Sequence, residues 1–278
     1  MTHVFGVIGN PISHSLSPLM HEAAYKKLEL DARYVPFQVE EKNLETAVKG
    51  MKGLGIKGLN VTIPHKEAVI EFLDELDPSA AALGAVNTIF YDEKQNKLIG
   101  YNTDGEGFYR SLRPELRKPL EDSLILMIGA GGAARGVAIT LAGKGAKQLT
   151  IANRTKSKAE ELAADCGASA RAMTLNEAQA KLTEFDIIIN STSIGMTPNI
   201  GQMPMSLETL SRDTLVCDLI YSPMKTRFLA EAEKKHVRTL NGMGMFVQQG
   251  AIAFEHWTGL DAPVEIMEEA ILSRLKEV

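Results

Sequence analysis

The apolar run Leu124-Ile125-Leu126-Met127-Ile128 passes without a break into Gly129-Ala130-Gly131-Gly132-Ala133-Ala134-Arg135, and this junction restricts the fold more than any other part of the chain. A run so short and so uniformly apolar reads as a strand buried on both faces, and the residues after it open a helix. Glycine permits the tight turn between them, Gly131 lets a pyrophosphate approach the backbone, and Ala134 allows helix and strand to pack closely. A glycine pattern alone is a weak signal. Set between a buried strand and a helix it is a dinucleotide-binding pattern, with Gly129, Ala130, Gly131, Gly132 and Ala133 as candidate cofactor-binding residues.

Alternation continues on both sides of this junction. Downstream come the strand QLTIAN, a helix, and the apolar strands FDIIIN and TLVCDLI, an order that implies a parallel, doubly wound sheet. Upstream, residues 4–9 read as a buried strand. Ser17-Pro18 reads as a helix N-cap with proline at the first helical position, followed by Leu19, Ala23, Ala24 and Leu28 at helical spacing. Strands at 32–39 and 58–62 flank a helix at 41–54. A helix is expected from Pro64 to Leu76, a short one over 78–83, and a hairpin of 85–91 with 97–101. At 278 residues the chain exceeds the roughly 100–200 usual for one domain. The expected fold is therefore α/β with two domains: a Rossmann-type nucleotide-binding domain over 105–243, and a discontinuous α/β substrate-binding domain over 1–104 and 244–278, the helical last stretch returning to the first domain.

Composition removes whole classes of function. A net charge of -5 argues against a generalised nucleic-acid surface, and no apolar stretch approaches the ~20 residues of a membrane helix. The N-terminus lacks a charged segment ahead of an apolar run, so a cytoplasmic protein is expected. Cys166 and Cys217 lie in unrelated segments and read as buried thiols in a reducing compartment. His14, His21 and His65 match no compact ligand spacing, so no metal is expected.

The end of the second strand of the nucleotide half chooses between cofactors. NAD sites place a carboxylate there for the ribose 2′-hydroxyl, whereas this chain has Asn153-Arg154-Thr155, with Lys158 one turn on. A guanidinium and a hydroxyl suit a 2′-phosphate, so NADP(H) is the expected cofactor. The competing reading makes Arg154 and Lys158 solvated residues at a helix start. Asn190-Ser191-Thr192-Ser193-Ile194-Gly195-Met196 follows an apolar strand, where ligands of open α/β sheets bind, and Thr192 is a candidate on the nicotinamide side; a polar strand-end turn explains the segment equally well.

For chemistry the outstanding segment is Asn60-Val61-Thr62-Ile63-Pro64-His65-Lys66, which places Lys66 in the first turn of the expected helix, where the dipole disfavours a cation. A lysine can donate a proton to, or neutralise, the oxygen that gains charge when hydride reaches a ketone. Asp104, in Asn102-Thr103-Asp104-Gly105, falls near the domain junction, although locally it reads as a turn former. Ser15 and Ser17 offer hydroxyls for a polyol, while Thr62 and Asn87 end or interrupt strands.

Taken in order, GNPISHSLSP, NVTIPHK, GAVNT, NTDG, GAGGAAR, NRT, NSTSIGM, DLIYSP and NGMGMFVQQGAIAFEHWTG resemble the shikimate dehydrogenase family over essentially the whole chain. The resemblance implies a substrate domain and a Rossmann-type domain that together bind NADP and shikimate. It puts the family's substrate residues on Ser15, Ser17, Thr62, Asn87, Tyr221 and Gln249, and its catalytic lysine and aspartate on Lys66 and Asp104. Gly242 and the segment from Met243 would lie near the nicotinamide. Lysine stands at Lys158 where many members carry arginine, which should weaken bidentate phosphate contact without reversing the preference. The implied reaction is reduction of the small molecule 3-dehydroshikimate to shikimate, by a monomer or homodimer. The alternatives are a quinate/shikimate dehydrogenase of broader specificity and a non-catalytic NADP sensor.

Overall fold

The computed structural model describes residues 2–276. By its contacts the chain divides into two compact units, one running up to Thr103 and resuming at Val247, the other spanning Asp104–Phe246.

In the first unit β1 (His3–Gly9), α1 (Ser17–Lys27), β2 (Ala32–Gln38), α2 (Leu44–Leu54) and β3 (Ile56–Val61) form the alternating run. They are followed by β4 (Glu75–Leu76), α3 (Pro78–Leu83), β5 (Thr88–Asp92) and β6 (Lys97–Tyr101). The sheet order is β2-β1-β3-β5-β6-β4. β1 runs parallel to both β2 and β3, whereas β5 is antiparallel to β3 and to β6. Helix α2 buries Leu44, Val48 and Met51, spaced to share one face, and stops at Gly55, whose left-handed φ of 69° suits glycine. Helix α3 starts where Asp77 accepts the Ser79 N–H and Pro78 follows at the first turn.

The second unit contains α4 (Asp104–Leu112), β7 (Leu124–Ile128), α5 (Gly132–Gly143), β8 (Gln148–Asn153), α6 (Lys156–Cys166) and β9 (Ala170–Thr174). It continues through α7 (Leu175–Gln179), β10 (Ile187–Asn190), β11 (Leu215–Asp218), α8 (Arg227–Lys234) and β12 (Arg238–Leu240). Its sheet is parallel throughout, in the order β12-β11-β10-β7-β8-β9. Ile125 and Met127 pack among Phe108, Val137, Leu141 and Leu162 on one face; Leu126 and Ile128 pack with Leu182, Phe228 and Leu229 on the other. Both faces are covered, which is why the strand reads as an unbroken apolar run. Helix α9 (Met243–Thr258) carries the second division between units within its length, and α10 (Val264–Lys276) packs on α1.

Several expectations are corrected. Residues 64–76 are not an α-helix: a turn leads into a 3-10 helix at Ala68–Phe72 and then into β4. Pairing explains the difference, because Glu75 and Leu76 align with Ile99 and Gly100 of β6 and Asp74 accepts the Leu98 N–H at 2.7 Å, which draws the chain out straight. Ser17 is the first residue of α1 rather than its cap; Leu16 holds the cap position with no side-chain bond. Cys217 is buried, but Cys166 is only half-buried, its thiol pushed up to about 11 chiefly by desolvation. The strands β4, β9 and β12 were not anticipated. The first has two residues, and the other two are half-exposed throughout, so they lack an apolar signal.

Candidate functional site

From β7 the chain of the second unit winds outward to β8 and β9, then returns to the other side of β7 at β10. The switch point therefore lies beyond the carboxyl ends of β7 and β10, where open α/β sheets form a crevice for ligands. The two loops there are locked together. Ser191 donates its backbone N–H and its hydroxyl to Ile128 O at 2.9 and 2.7 Å. Gly129 has φ 113°, and a Cβ on it would come within 2.6 Å of Ser191 Oγ, so this position admits only glycine.

Helix α5 begins at Gly132 with Gly131 at its cap, and no side chain bonds its first amides. Gly131, Gly132 and Ala133 are exposed and Ala130 is half-buried. A twelve-residue helix whose amino end is open, uncapped and lined by residues without bulk offers its N–H groups to an anion. At the end of β8, Asn153 is half-buried and donates to Thr155 O at 3.0 Å. Arg154, Thr155 and Lys158 are exposed, and neither cation has an ion-pair partner among the described residues. These residues fit a dinucleotide carrying an extra phosphate.

Thr192 is half-buried, and its hydroxyl works inside its own loop: it donates to Asn190 Oδ1 at 2.7 Å and accepts from Ile194 N at 3.1 Å. Asn190 also donates to Asp218 Oδ1 at 3.2 Å. Burial pushes the Asp218 carboxyl up to about 6, against the hydrogen bonds it accepts from Thr226, Ile220 and Asn190. Gly242 sits where a Cβ would meet Leu219 O at 2.1 Å, and Tyr221 stacks on Phe246 with ring centroids 4.7 Å apart.

In the first unit, strand direction gathers the candidates at one edge of the sheet. β1 and β3 are parallel, so the loops after both leave at the same edge: the first carries Ser15 and leads to Ser17, the second carries Thr62 and Lys66. β5 runs the opposite way, pairing Thr88 with Asn60 and with Tyr101, so its start beside Asn87 and the exit of β6 reach that edge as well. Ser15 accepts the Ser17 N–H at 3.3 Å. Thr62 N–H donates to Ile8 O at 3.0 Å, and the Lys66 carbonyl accepts from Val86 N at 2.8 Å, which fixes the Lys66 turn next to Asn87. Ser17 and Asn87 are buried; Ser15, Thr62, Lys66 and Gln249 are half-buried.

Asn87 Oδ1 accepts the Thr103 N–H at 2.9 Å, Asn87 Nδ2 donates to Thr103 Oγ1 at 3.0 Å, and that hydroxyl lies 3.1 Å from Gln249 O. Gln249 and the residue preceding Asp104 are thereby tied to Asn87. Asp104 itself is half-buried and opens α4, where the helix dipole favours a carboxylate. Lys66, by contrast, stands in the turn ahead of the 3-10 helix, so the dipole argument made for it from the sequence does not apply. Sequence reasoning missed the polar residues Asn60, Thr88 and Thr103, all buried behind this edge. For Asn60 and Thr88 the signal was a polar side chain inside an otherwise apolar strand, while Thr103 lies in the connection between β6 and α4. Among the described residues no group of three or more acidic, His or Cys side chains is placed to hold a metal ion.

A glycine loop that opens a helix at the switch point of a parallel sheet places this chain among the dinucleotide-binding α/β proteins. The comparisons narrow that class. Residues 7–89 match the shikimate dehydrogenase substrate binding domain, residues 113–219 the shikimate / quinate 5-dehydrogenase domain, and residues 242–272 the shikimate 5'-dehydrogenase C-terminal domain. The chain is 50% identical over 275 residues to the shikimate dehydrogenase (NADP(+)) of Bacillus licheniformis, covering 99% of this chain and 98% of that one. A crystal structure of a shikimate dehydrogenase in complex with NADP+ matches with a TM-score of 0.91 at 44% identity, over 99% of this chain and 96% of the other. The Thermus thermophilus shikimate 5-dehydrogenase, in complex with NADP(H) and shikimate, matches at 0.88 and 35% identity, over 99% and 100% of the two chains. The chain belongs to the shikimate dehydrogenase family.

Proposed function

We propose that this protein is an oxidoreductase that catalyses the reversible, NADP-dependent reduction of 3-dehydroshikimate to shikimate, a step towards chorismate and the aromatic amino acids. The observation that carries the reading is the single sheet edge at which Ser15, Ser17, Thr62 and Asn87 stand beside Lys66. Three hydroxyls and an amide match a small polyol, and a cation stands next to them for the oxygen that gains charge. Substrate binding falls to residues 1–104 and 244–278, NADP binding to 105–243. No helix of the described residues is long and apolar enough to cross a membrane. The reading places the protein in the cytoplasm, as a monomer or homodimer.

In this mechanism Ser15, Ser17, Thr62, Asn87, Tyr221 and Gln249 bind the ring hydroxyls and the carboxylate and so fix the carbonyl in one orientation. Lys66 Nζ gives a proton to the ketone oxygen or holds the forming alkoxide, with Asp104 as its acidic partner. The uncapped amides of α5 take the pyrophosphate, aided by Gly129, Ala130, Gly131, Gly132 and Ala133. Arg154, Lys158, Asn153 and Thr155 would hold the 2′-phosphate of bound NADP, charge and hydrogen-bond donors favouring it over an NAD ribose. Thr192 and Gly242 shape the nicotinamide side. NADPH, when bound, supplies the hydride.

The test is cofactor reduction by the purified protein, with shikimate and quinate each offered NADP+ and NAD+. Activity confined to shikimate with NADP+ is the expected result. Comparable rates with quinate or NAD+ would move the protein to the broader-specificity branch of the family, and silence in all four assays would end the reading.

A further inference from the structure

Behind the proposed substrate edge lies a chain of buried polar groups supplied by three strands, β2, β3 and β5, and reaching across the intervening β1. Tyr34 on β2 donates its hydroxyl to Asn60 Oδ1 on β3 at 2.6 Å. Asn60 Nδ2 donates to Thr88 Oγ1 at 3.1 Å and to Asn87 O at 3.2 Å. Thr88 in turn donates to Asn87 Oδ1 at 3.0 Å. Asn60 and Thr88 are 6% and 0% exposed and Tyr34 is 4% exposed, so water does not compete for these bonds.

Two backbone groups set the direction of every proton in this chain. The Asn87 carbonyl can only accept, so Asn60 must turn its NH2 towards it and its oxygen towards Tyr34. Tyr34 is therefore the donor. The Thr103 N–H can only donate, so Asn87 must turn its oxygen towards Thr103. Thr88, receiving from Asn60, is left to donate to that same oxygen. No alternative arrangement satisfies all of these groups, and an unsatisfied group this deep is costly.

We propose that Tyr34 and Thr88 are positioning residues for the substrate site, holding the Asn87 amide, Tyr34 through Asn60 and Thr88 directly, in the single orientation that shikimate meets. The inference rests on the function proposed above. Neither residue touches substrate in this account; each acts by fixing a group that does. A purely structural role would make the same side chains matter for stability while leaving substrate affinity alone.

Steady-state kinetics of Thr88→Val, Thr88→Ser and Tyr34→Phe, alongside thermal unfolding, separate the two roles. Thr88→Val keeps the shape and removes the hydroxyl, and it should raise KM for shikimate about tenfold, the size of one lost buried hydrogen bond, with KM for NADP+ unchanged. Thr88→Ser restores the hydroxyl and should restore KM. Tyr34→Phe should shift KM in the same direction and serves as the reporter if Thr88→Val does not fold. Unchanged KM for shikimate in a folded Thr88→Val or Tyr34→Phe protein would overturn the inference, as would equal changes for both substrates or a Thr88→Ser protein no better than Thr88→Val. A wild-type protein inactive on shikimate would overturn the proposed function itself, an outcome read before any variant is made.

Discussion

The two binding regions of this chain are prepared in opposite ways. At the nucleotide loop the start of α5 is uncapped, Gly131 to Ala133 are exposed, and Arg154 and Lys158 stand in solvent with no ion-pair partner among the described residues. At the substrate edge Ser17, Asn60, Asn87, Thr88 and Thr103 are buried, and the amides of Asn60 and Asn87 are hydrogen bonded through both oxygen and nitrogen. The first region holds unspent backbone donors and surface cations that recognise charge wherever a phosphate presents it. The second has its side chains oriented before any ligand arrives, which lowers the entropy lost on binding and favours one stereochemistry. Charge suits a cofactor shared by many enzymes; fixed geometry suits a ring with several hydroxyls.

Substitutions can sharpen or break this contrast. The largest effect is expected at Lys66: Lys66→Ala should lower kcat by about 10²-fold or more, as loss of a general acid commonly does. Turnover at the wild-type rate would remove Lys66 from the chemistry. Next comes Arg154→Ala, which should raise KM for NADP+ by roughly 10- to 100-fold, in line with the ~1.5–3 kcal/mol of a hydrogen bond to a charged group, while KM for shikimate holds. If both KM values rise together, the two regions are not independent in the way described.

The smallest effect at neutral pH belongs to His21. Its ring is fully buried, stacks on Tyr34 at 4.3 Å, and has no hydrogen-bond partner for either nitrogen among the described residues. Burial holds the imidazole well below its ordinary value, at about 3. The folded protein therefore cannot take up the proton that the unfolded chain accepts below about 6.5, and stability is lost as pH falls through that value. His21→Phe keeps the stacking and removes this loss. It should be neutral or slightly stabilising at pH 8 and more stable than wild type by about 2 kcal/mol at pH 5. Denaturant unfolding at the two pH values measures the difference, and a variant less stable at both would reveal a bonded His21.

The sequence was legible where burial is uniform and opaque where pairing decides. β7, buried on both faces, announces itself as an apolar run, and the glycine loop after it carries its own steric reason. β9 and β12 have no fully buried residue, and β4 exists only because β6 offers it a partner. The stretch after Pro64 keeps helical character only as the 3-10 helix at Ala68–Phe72, and its end, Glu75 and Leu76, is drawn extended by that same strand. Site residues divide along the same line. Ser15 sits in a segment that reads as a loop, Asn87 at a strand end and Lys66 at a helix start, whereas Asn60 and Thr88 read as polar interruptions of strands. Their function as neighbours depends on the alignment of β3 with β5, which no local pattern records.

The sheet of the first unit ends on one side at β2, and Pro36 lies within that strand, in register with Val7 of β1. Proline brings no N–H to an edge, and on the other side the sheet stops at the two residues of β4. A stray strand approaching this sheet therefore meets a row of backbone donors broken at Pro36 on one border and only two residues on the other.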